Sequence, residues 1–440
     1  MRSSGFCSVT IWCNTLLSAR RLARADTMDF MLPMPTDNGA RLAAILPTAI
    51  ASMASSAGVD AFQLLCDAKI LRGSTAEQAA IAEGRLPAVR SIVLVVVDGL
   101  GHANLKAAAG HARTLASLPT RRIETVIPST TGAALTTLTT GTLPGAHGLI
   151  GYKIRHPERG LVTTLKDWAG IDDRRAWQRS EPLFGLAARI GARAVAIGRP
   201  AHATGGLTEA ILTGAAYHGG QTIADRFSIA SRLARGDDPL LAYLYVDELD
   251  KVAHHDGWQS DKWRLRLEQL DAALADLLRK LPSDVGVIVT ADHGVIDVPP
   301  EKRMMLDRLT VTDEVELIGG EPRMRSLYLR AGADAERVAA ETQRALGKLA
   351  WVGTRDEAIA AGWFGEVGEG IAERLGEVLV AARGQSAFML TSDDPVVHEM
   401  VGQHGGTSDE ERGVPLAVSG ALEGTGFAGA VAAVAEARRS

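Results

Sequence analysis

Cysteine is scarce in this chain of 440 residues, with three in all, Cys7, Cys13 and Cys66. Three thiols, two of them within the first thirteen residues, make neither a disulfide framework nor a cysteine zinc site. On that ground the chain is expected to be cytoplasmic. Aromatic residues amount to only 5%, too few for a base-stacking surface. Basic residues gather in no block, and Lys+Arg 47 against Asp+Glu 52 leaves a net charge of −5. The electrostatic footprint of a protein that binds nucleic-acid polymers is therefore missing. No apolar run approaches the ~20 residues that cross a bilayer as a helix. What is present, 46% hydrophobic and 22% charged residues, is ordinary globular composition and excludes a mainly disordered chain.

The first residues stand apart. Arg2 followed by GFCSVTIWCNTLLSA loosely resembles a secretion signal, but Ser, Thr and Asn interrupt its apolar stretch. Residues 1–40 are expected to be a disordered leader, with Met28 or Met31 as the real start. From about residue 40, Leu42, Ile45, Leu46, Ile50 and Met53 follow the spacing of a one-sided helix.

Four runs then read as strands apolar on both faces, as in a buried parallel sheet. They are SIVLVVVDG (91–99), ARAVAIG (192–198), LLAYLYVD (240–247) and VGVIVTADHG (285–294). Helical stretches separate them. The clearest is 262–281, with a stripe of Leu267, Leu270, Leu274, Leu277, Leu278 and Leu281. Strands alternating with helices predict an α/β fold with a doubly wound, mainly parallel sheet. Residues 299–395 break the rhythm with one short strand, 325–330, and helical patterns near 335–349 and 355–362. They are expected to be a smaller inserted or capping region. The core is then 41–298 and 396–440, closing on the strand GVPLAVSG (413–420).

In open α/β sheets ligands bind beyond the carboxyl ends of the strands. Asp98 ends the first run, and Asp247 and Asp250 follow the third, with His254 and His255 close behind. Asp292 and His293 end the fourth, and His404 comes late, in QHGGTSDEERGVPL. A single Asp after a strand is commonly a helix cap. Four such groups at one sheet edge carry more weight. Asp250 and His254 are four apart, so one helical turn puts both on one face. Asp and His together suit Zn²⁺, and Mn²⁺ as well. Asp98, Asp250, His254, Asp292, His293 and His404 are about what two divalent ions need, and two ions about 4 Å apart clamp a phosphoryl centre.

The second feature is IPSTTGAALTTLTTGTLPGAHGLIGY, 127–152. Thr131 falls at or near the start of a helix running to about Thr140, where the dipole favours an anion such as phosphate. The plainer reading makes Ser129 or Thr130 the helix cap and sets the threonines in the core. His147 is expected to order a loop.

These stretches, with YVDELDKVAHHDG and VTADHGV, resemble in order and spacing the type I phosphodiesterase/nucleotide pyrophosphatase family of the alkaline phosphatase superfamily, over roughly residues 40–420. The resemblance implies an alkaline phosphatase-like fold and a two-metal hydrolase of phosphoric esters. It implies that Thr131 is the nucleophile, passing through a phospho-threonine intermediate. It places Asp98, Thr131, Asp292 and His293 at one metal, and Asp250, His254 and His404 at the other. Asp247 and His255 do not align with ligands. One position departs from the better-known nucleotide pyrophosphatases. Three residues after the nucleophile they carry an Asn that helps hold the phosphate, and Ala134 stands here.

The substrate expected is a small-molecule phosphoester. No Lys or Arg precedes Lys153 in the nucleophile segment, which favours a diester over the more charged monoester unless Arg199 or Lys153 folds in. A phosphomonoesterase, phosphonate hydrolase or phosphomutase would use the same metals. A binding protein that has lost catalysis is the non-enzymatic alternative. Trp168, Trp177 and Tyr217 could stack on a substrate or belong to the core.

Overall fold

The computed structural model describes residues 31–166, 168–171, 173–309 and 313–438. Cys7, Cys13, Met28 and the rest of the first thirty residues lie outside the described residues. The last part of the stretch read as a leader is tied to the folded body. Trp363 donates its indole N–H to Pro33 O at 2.8 Å, and Thr36 Oγ1 donates to Glu124 Oε1 at 3.2 Å.

All four β-branched runs are strands. We label β1 (Ser91–Val97), β2 (Thr120–Glu124), β3 (Arg193–Gly198), β4 (Ala216–Gly219), β5 (Leu240–Val246) and β6 (Val285–Thr290). A second group follows, β7 (Val315–Glu321), β8 (Met324–Leu329), β9 (Ala350–Thr354) and β10 (Val378–Ala382), and then β11 (Gly413–Gly420). The main sheet has the order β2-β11-β6-β1-β5-β3-β4. Strands β6, β1, β5, β3 and β4 are parallel, and β11 runs antiparallel to both of its neighbours. Every residue of β1 and β6 is buried, so both faces of the sheet are covered. The covering helices include α1 (Ala40–Ser56), α2 (Thr131–Thr140), α3 (Ile223–Ala234), α4 (Glu248–Asp256) and α5 (Asp261–Lys280). Next come α6 (Ala335–Leu346) and α7 (Phe427–Ala437). Helices α1, α2 and α7 pack together, as do α3, α4 and α5.

Register is what positions the chemistry. Val97 of β1 pairs with Val246 of β5, and Val96 pairs with Thr290 of β6. The three strands end level, so the residues that follow each one emerge side by side.

Strands β7 to β10 form their own antiparallel sheet, ordered β7-β8-β10-β9. Its core is separate from the main one and includes Leu327, Val338, Leu346, Val352, Val378 and Val380. Only β8 is legible as a strand in the sequence, because Gly319–Gly320 and Gly353 interrupt β7 and β9 and β10 is five residues long. The missed strands of the main sheet, β2 and β4, are its two edges. Arg121, Arg122 and His218 give them no continuous apolar face.

The hairpin β7–β8 is pinned to the main body by charge. Arg323, at its turn, is fully buried and donates to Glu411 through Nε at 3.0 Å and Nη2 at 2.6 Å. Removing one partner of such a pair strands the other charge, at a cost of about 3–5 kcal/mol. Arg323→Met should therefore lower the unfolding free energy by about that much in denaturant titration. A loss under about 1 kcal/mol would mean that the pair does not anchor the hairpin.

Candidate active site

Helix α2 begins where the sequence places it, but its start is built differently from the plain capping expectation. Thr130 is the N-cap residue in extended conformation, and no side chain caps the helix. The Ser129 hydroxyl turns away and donates to Gly406 O at 2.8 Å, while Gly405 N donates back to it at 3.2 Å. His404 Nδ1 adds a third link, to Ser129 O at 2.9 Å. These bonds lock the start of α2 to the loop of His404. The rest of α2 is buried throughout. Thr136, Thr139 and Thr140 satisfy their hydroxyls on the carbonyls of Gly132, Leu135 and Thr136 at 2.6–2.8 Å. Buried hydroxyls need partners, so a threonine-rich helix can lie in the core.

Asp98, Asp250, His254, Asp292, His293 and His404 converge at the carboxyl ends of β1, β5 and β6. They form two groups, Asp98–Asp292–His293 and Asp250–His254–His404, with the donor atoms of each within 4.8 Å of one another. Thr131 Oγ1 lies 3.1 Å from His293 Nε2. His293 Nε2 is 3.4 Å from Asp98 Oδ1 and 3.5 Å from Asp292 Oδ2, and His254 Nε2 is 3.1 Å from Asp250 Oδ2.

Each histidine presents Nδ1 to a backbone carbonyl: Gly402 for His254 at 2.8 Å, Ser129 for His404 and Gly294 for His293 at 3.2 Å. A carbonyl only accepts, so Nδ1 carries the proton and Nε2 turns a lone pair toward the carboxylates. Lone pairs then face anions. Among the described residues Asp98 Oδ1, Asp250 Oδ1 and Asp292 Oδ2 are buried without a hydrogen-bond partner. This donor set fits divalent cations.

Without a cation, protons must relieve the charge. Burial, followed by repulsion from Asp292 and Asp250, holds the Asp98 carboxyl well above its usual range. Burial and Asp250 push Asp292 up to about 6. Burial alone would lower His254, but Asp250 overrides it and raises it to about 9. Burial lowers His293 to about 4 and, with His293 beside it, His404 to about 3.

Asp247 is no part of either group. It pairs with Arg199 at 2.7 Å, His202 at 2.9 Å and Arg226 at 3.6 Å, and with Lys251. His255 is 81% exposed, whereas His254 points inward. His147 is buried between Thr137 Oγ1 at 3.0 Å and Leu149 N at 3.1 Å, ordering the turn after α2. Trp168 and Trp177 belong to the core, the latter under the Arg374 guanidinium at 4.2 Å.

A cavity of 590 Å³ opens on Thr131 and both groups. One wall is apolar, with Leu135, Ile197, Ile211 and Tyr217. Of the two cations suspected from sequence, Arg199 is spent on Asp247 and Glu248, and Lys153 is not on the wall. Lys166 and Lys251 are there instead. Sequence reasoning missed two further residues. Tyr245 donates its hydroxyl to Asp98 Oδ2, and its period-two match with Tyr243 on β5 was the available signal. Glu321 also lines the cavity, and burial, then Glu411, pushes it up to about 8. Nothing in VELIGGEPR announces it.

The profile of the type I phosphodiesterase / nucleotide pyrophosphatase family matches residues 92–407. The chain belongs to this family. A human relative, ectonucleotide pyrophosphatase/phosphodiesterase family member 5, is 24% identical over 192 residues, 42% of this chain and 40% of that protein. The chain thus matches about two fifths of that relative's length. Human ectonucleotide pyrophosphatase / phosphodiesterase 5 has a similar solved structure, with TM-score 0.60 and 18% identity over 74% of this chain and 87% of that one. Phosphonoacetate hydrolase from Sinorhizobium meliloti 1021, in complex with phosphonoformate, gives TM-score 0.59 and 20% identity over 80% and 97%. These structures share the α/β fold with its largely parallel sheet. The family is metal-dependent, and the two donor groups of this chain are candidate metal-binding groups. No helix among the described residues is long and apolar enough to cross a membrane.

Metal uptake must displace the protons named above. His254 carries one below about 9. Loading the metal-free protein at pH ~7.5 should release at least one proton per chain, and affinity should fall about ten-fold for each pH unit the pH is lowered, per proton displaced. Proton release in weak buffer measures this, and metal uptake without any release would contradict the donor assignment.

Proposed function

We propose that the protein hydrolyses phosphoric diesters with Thr131 as the nucleophile and Asp98, Asp292, His293, Asp250, His254 and His404 as ligands of two divalent ions. The observation that carries this reading is the Thr131 hydroxyl, 3.1 Å from His293 Nε2 at the floor of the cavity. Zn²⁺ suits the Asp/His donor set best, and Mn²⁺ is compatible. Bound there, divalent ions supply Lewis acidity that favours the ionised hydroxyl and offsets phosphoryl charge.

The chain's own groups do the rest. Thr131 Oγ1 loses its proton, attacks phosphorus in line and carries the phosphoryl group as a phospho-threonine ester while the first alcohol leaves. Water then cleaves that ester and restores the hydroxyl. Ala134 is buried and offers no polar group. The phosphoryl oxygens are instead held by the first-turn N–H groups of α2, which no side chain caps. Residues 299–395 serve as a cap inserted into a catalytic core of 41–298 and 396–440, and contribute Glu321 and Pro322 to the cavity. A murine relative of 18% identity, ectonucleotide pyrophosphatase / phosphodiesterase 5 in inactive form, is in complex with AMP. A small phosphoester is the corresponding substrate size for this cavity.

Two outcomes are expected. Thr131→Ala should lower kcat by ~10³-fold or more while metal content, measured on the same preparation, stays at the wild-type level. A variant retaining more than about a tenth of kcat would move the nucleophile elsewhere. Bis-p-nitrophenyl phosphate should be preferred to p-nitrophenyl phosphate by about ten-fold or more in kcat/KM. The reason is that Arg199 and Lys251 are already paired with carboxylates. A faster monoester would instead make Lys166 the cation of a phosphatase site.

A further inference from the structure

One carboxylate of the cavity belongs to neither donor group. Glu321 ends β7 at the tip of the β7–β8 hairpin and lines the same cavity as Thr131 and Asp250. It is buried, and its Oε1 has no hydrogen-bond partner among the described residues. Its nearest basic nitrogen, His404 Nδ1, is 4.0 Å from Oε2 and already donates to Ser129 O. The arginines that follow it make their ion pairs elsewhere, Arg323 with Glu411 and Arg325 with Asp393. Every other carboxylate on the wall is accounted for. Asp98 and Asp250 belong to the donor groups, and Asp247 is paired with Arg199, Arg226, His202 and Lys251.

The fold makes room for this side chain. Gly405, next to His404, has φ +110°, and a Cβ there would meet the Glu321 carboxyl carbon at 2.4 Å and Oε1 at 2.5 Å. A side chain at this position would push the carboxylate out of its place. Pro322 stiffens the turn, and the Arg323–Glu411 pair holds it in depth. A carboxylate buried without a cation is costly. A cation brought by the ligand removes that cost, and a charged pair of this kind is the strong form of hydrogen bond.

We propose that Glu321 is a specificity residue that receives a protonated amine on one arm of the phosphodiester. Because Glu321 abuts His404, the amine stands close to the phosphoryl group. The substrate class is therefore short aminoalkyl phosphodiesters, with the other arm on the wall of Leu135, Ile197 and Ile211. This rests on the diesterase reading above.

The test compares aminoethyl p-nitrophenyl phosphate with ethyl p-nitrophenyl phosphate, which share a leaving group, on the metal-loaded enzyme and on Glu321→Gln and Glu321→Ala. The wild type should favour the aminoethyl ester by about ten-fold or more in kcat/KM, mainly through KM. In both variants the ratio should fall to near one. Equal efficiency on the two esters in the wild type, or a ratio that survives in the variants, overturns the proposal while turnover of the ethyl ester still upholds the diesterase. A hydroxyethyl ester favoured as strongly as the aminoethyl one overturns recognition of charge. Loss of a metal ion from Glu321→Gln makes Glu321 a ligand and likewise overturns it. If neither ester turns over, the diesterase reading falls and this proposal falls with it.

Discussion

Three carboxylates buried side by side constrain everything around them. Asp98, Asp250 and Asp292 sit where β1, β5 and β6 end level, and burial alone makes their negative charge expensive. The chain does not neutralise them with its own arginines. Arg199 and Arg226 stop short of them, at Asp247 and Glu248. It surrounds them with histidines whose protons are committed to carbonyls, leaving acceptors facing acceptors. Protons relieve that charge in the metal-free protein, and divalent cations would have to displace them.

The layers further out keep that charge in position. Tyr245 steadies Asp98. Asp292 Oδ1 accepts from Gly99 N at 3.2 Å and from His293 N at 2.9 Å. Those bonds fix one oxygen and leave the other for the site. The charged cluster of Asp247, Glu248, Arg199 and Arg226 grips the first turn of α4, which carries Asp250 and His254. The helix and strand ends that carry the donor groups thus have separate anchors.

Much of this was legible in the sequence because the strands next to the site are buried on both faces. Continuous runs such as SIVLVVV have one physical explanation, and three of the four lead into an acid or histidine of the candidate site. The four-residue step from Asp250 to His254 separates the two residues that face the donor group from their neighbours Asp247 and His255, since a helix turns one face inward. Edge strands were not legible, because β2 and β4 alternate with charge or are too short to show a period. Most of the second sheet was hidden for a related reason, its strands being cut by glycine. Of the two cap candidates, Thr130 takes the N-cap position and Ser129 is a tether, which the sequence hides because its partners lie more than 270 positions away. Glu321 had no local signature at all, since its importance comes from the glycine opposite.

The tether between Ser129 and the Gly405–Gly406 loop also sets an order of events during synthesis. Asp98, Thr131, Asp292 and His293 are all present before the second sheet has been made. His404, and the carbonyl that receives the Ser129 hydroxyl, leave the ribosome only after it. One donor group is therefore complete in a nascent chain while the other lacks its last member and the start of α2 is still untied.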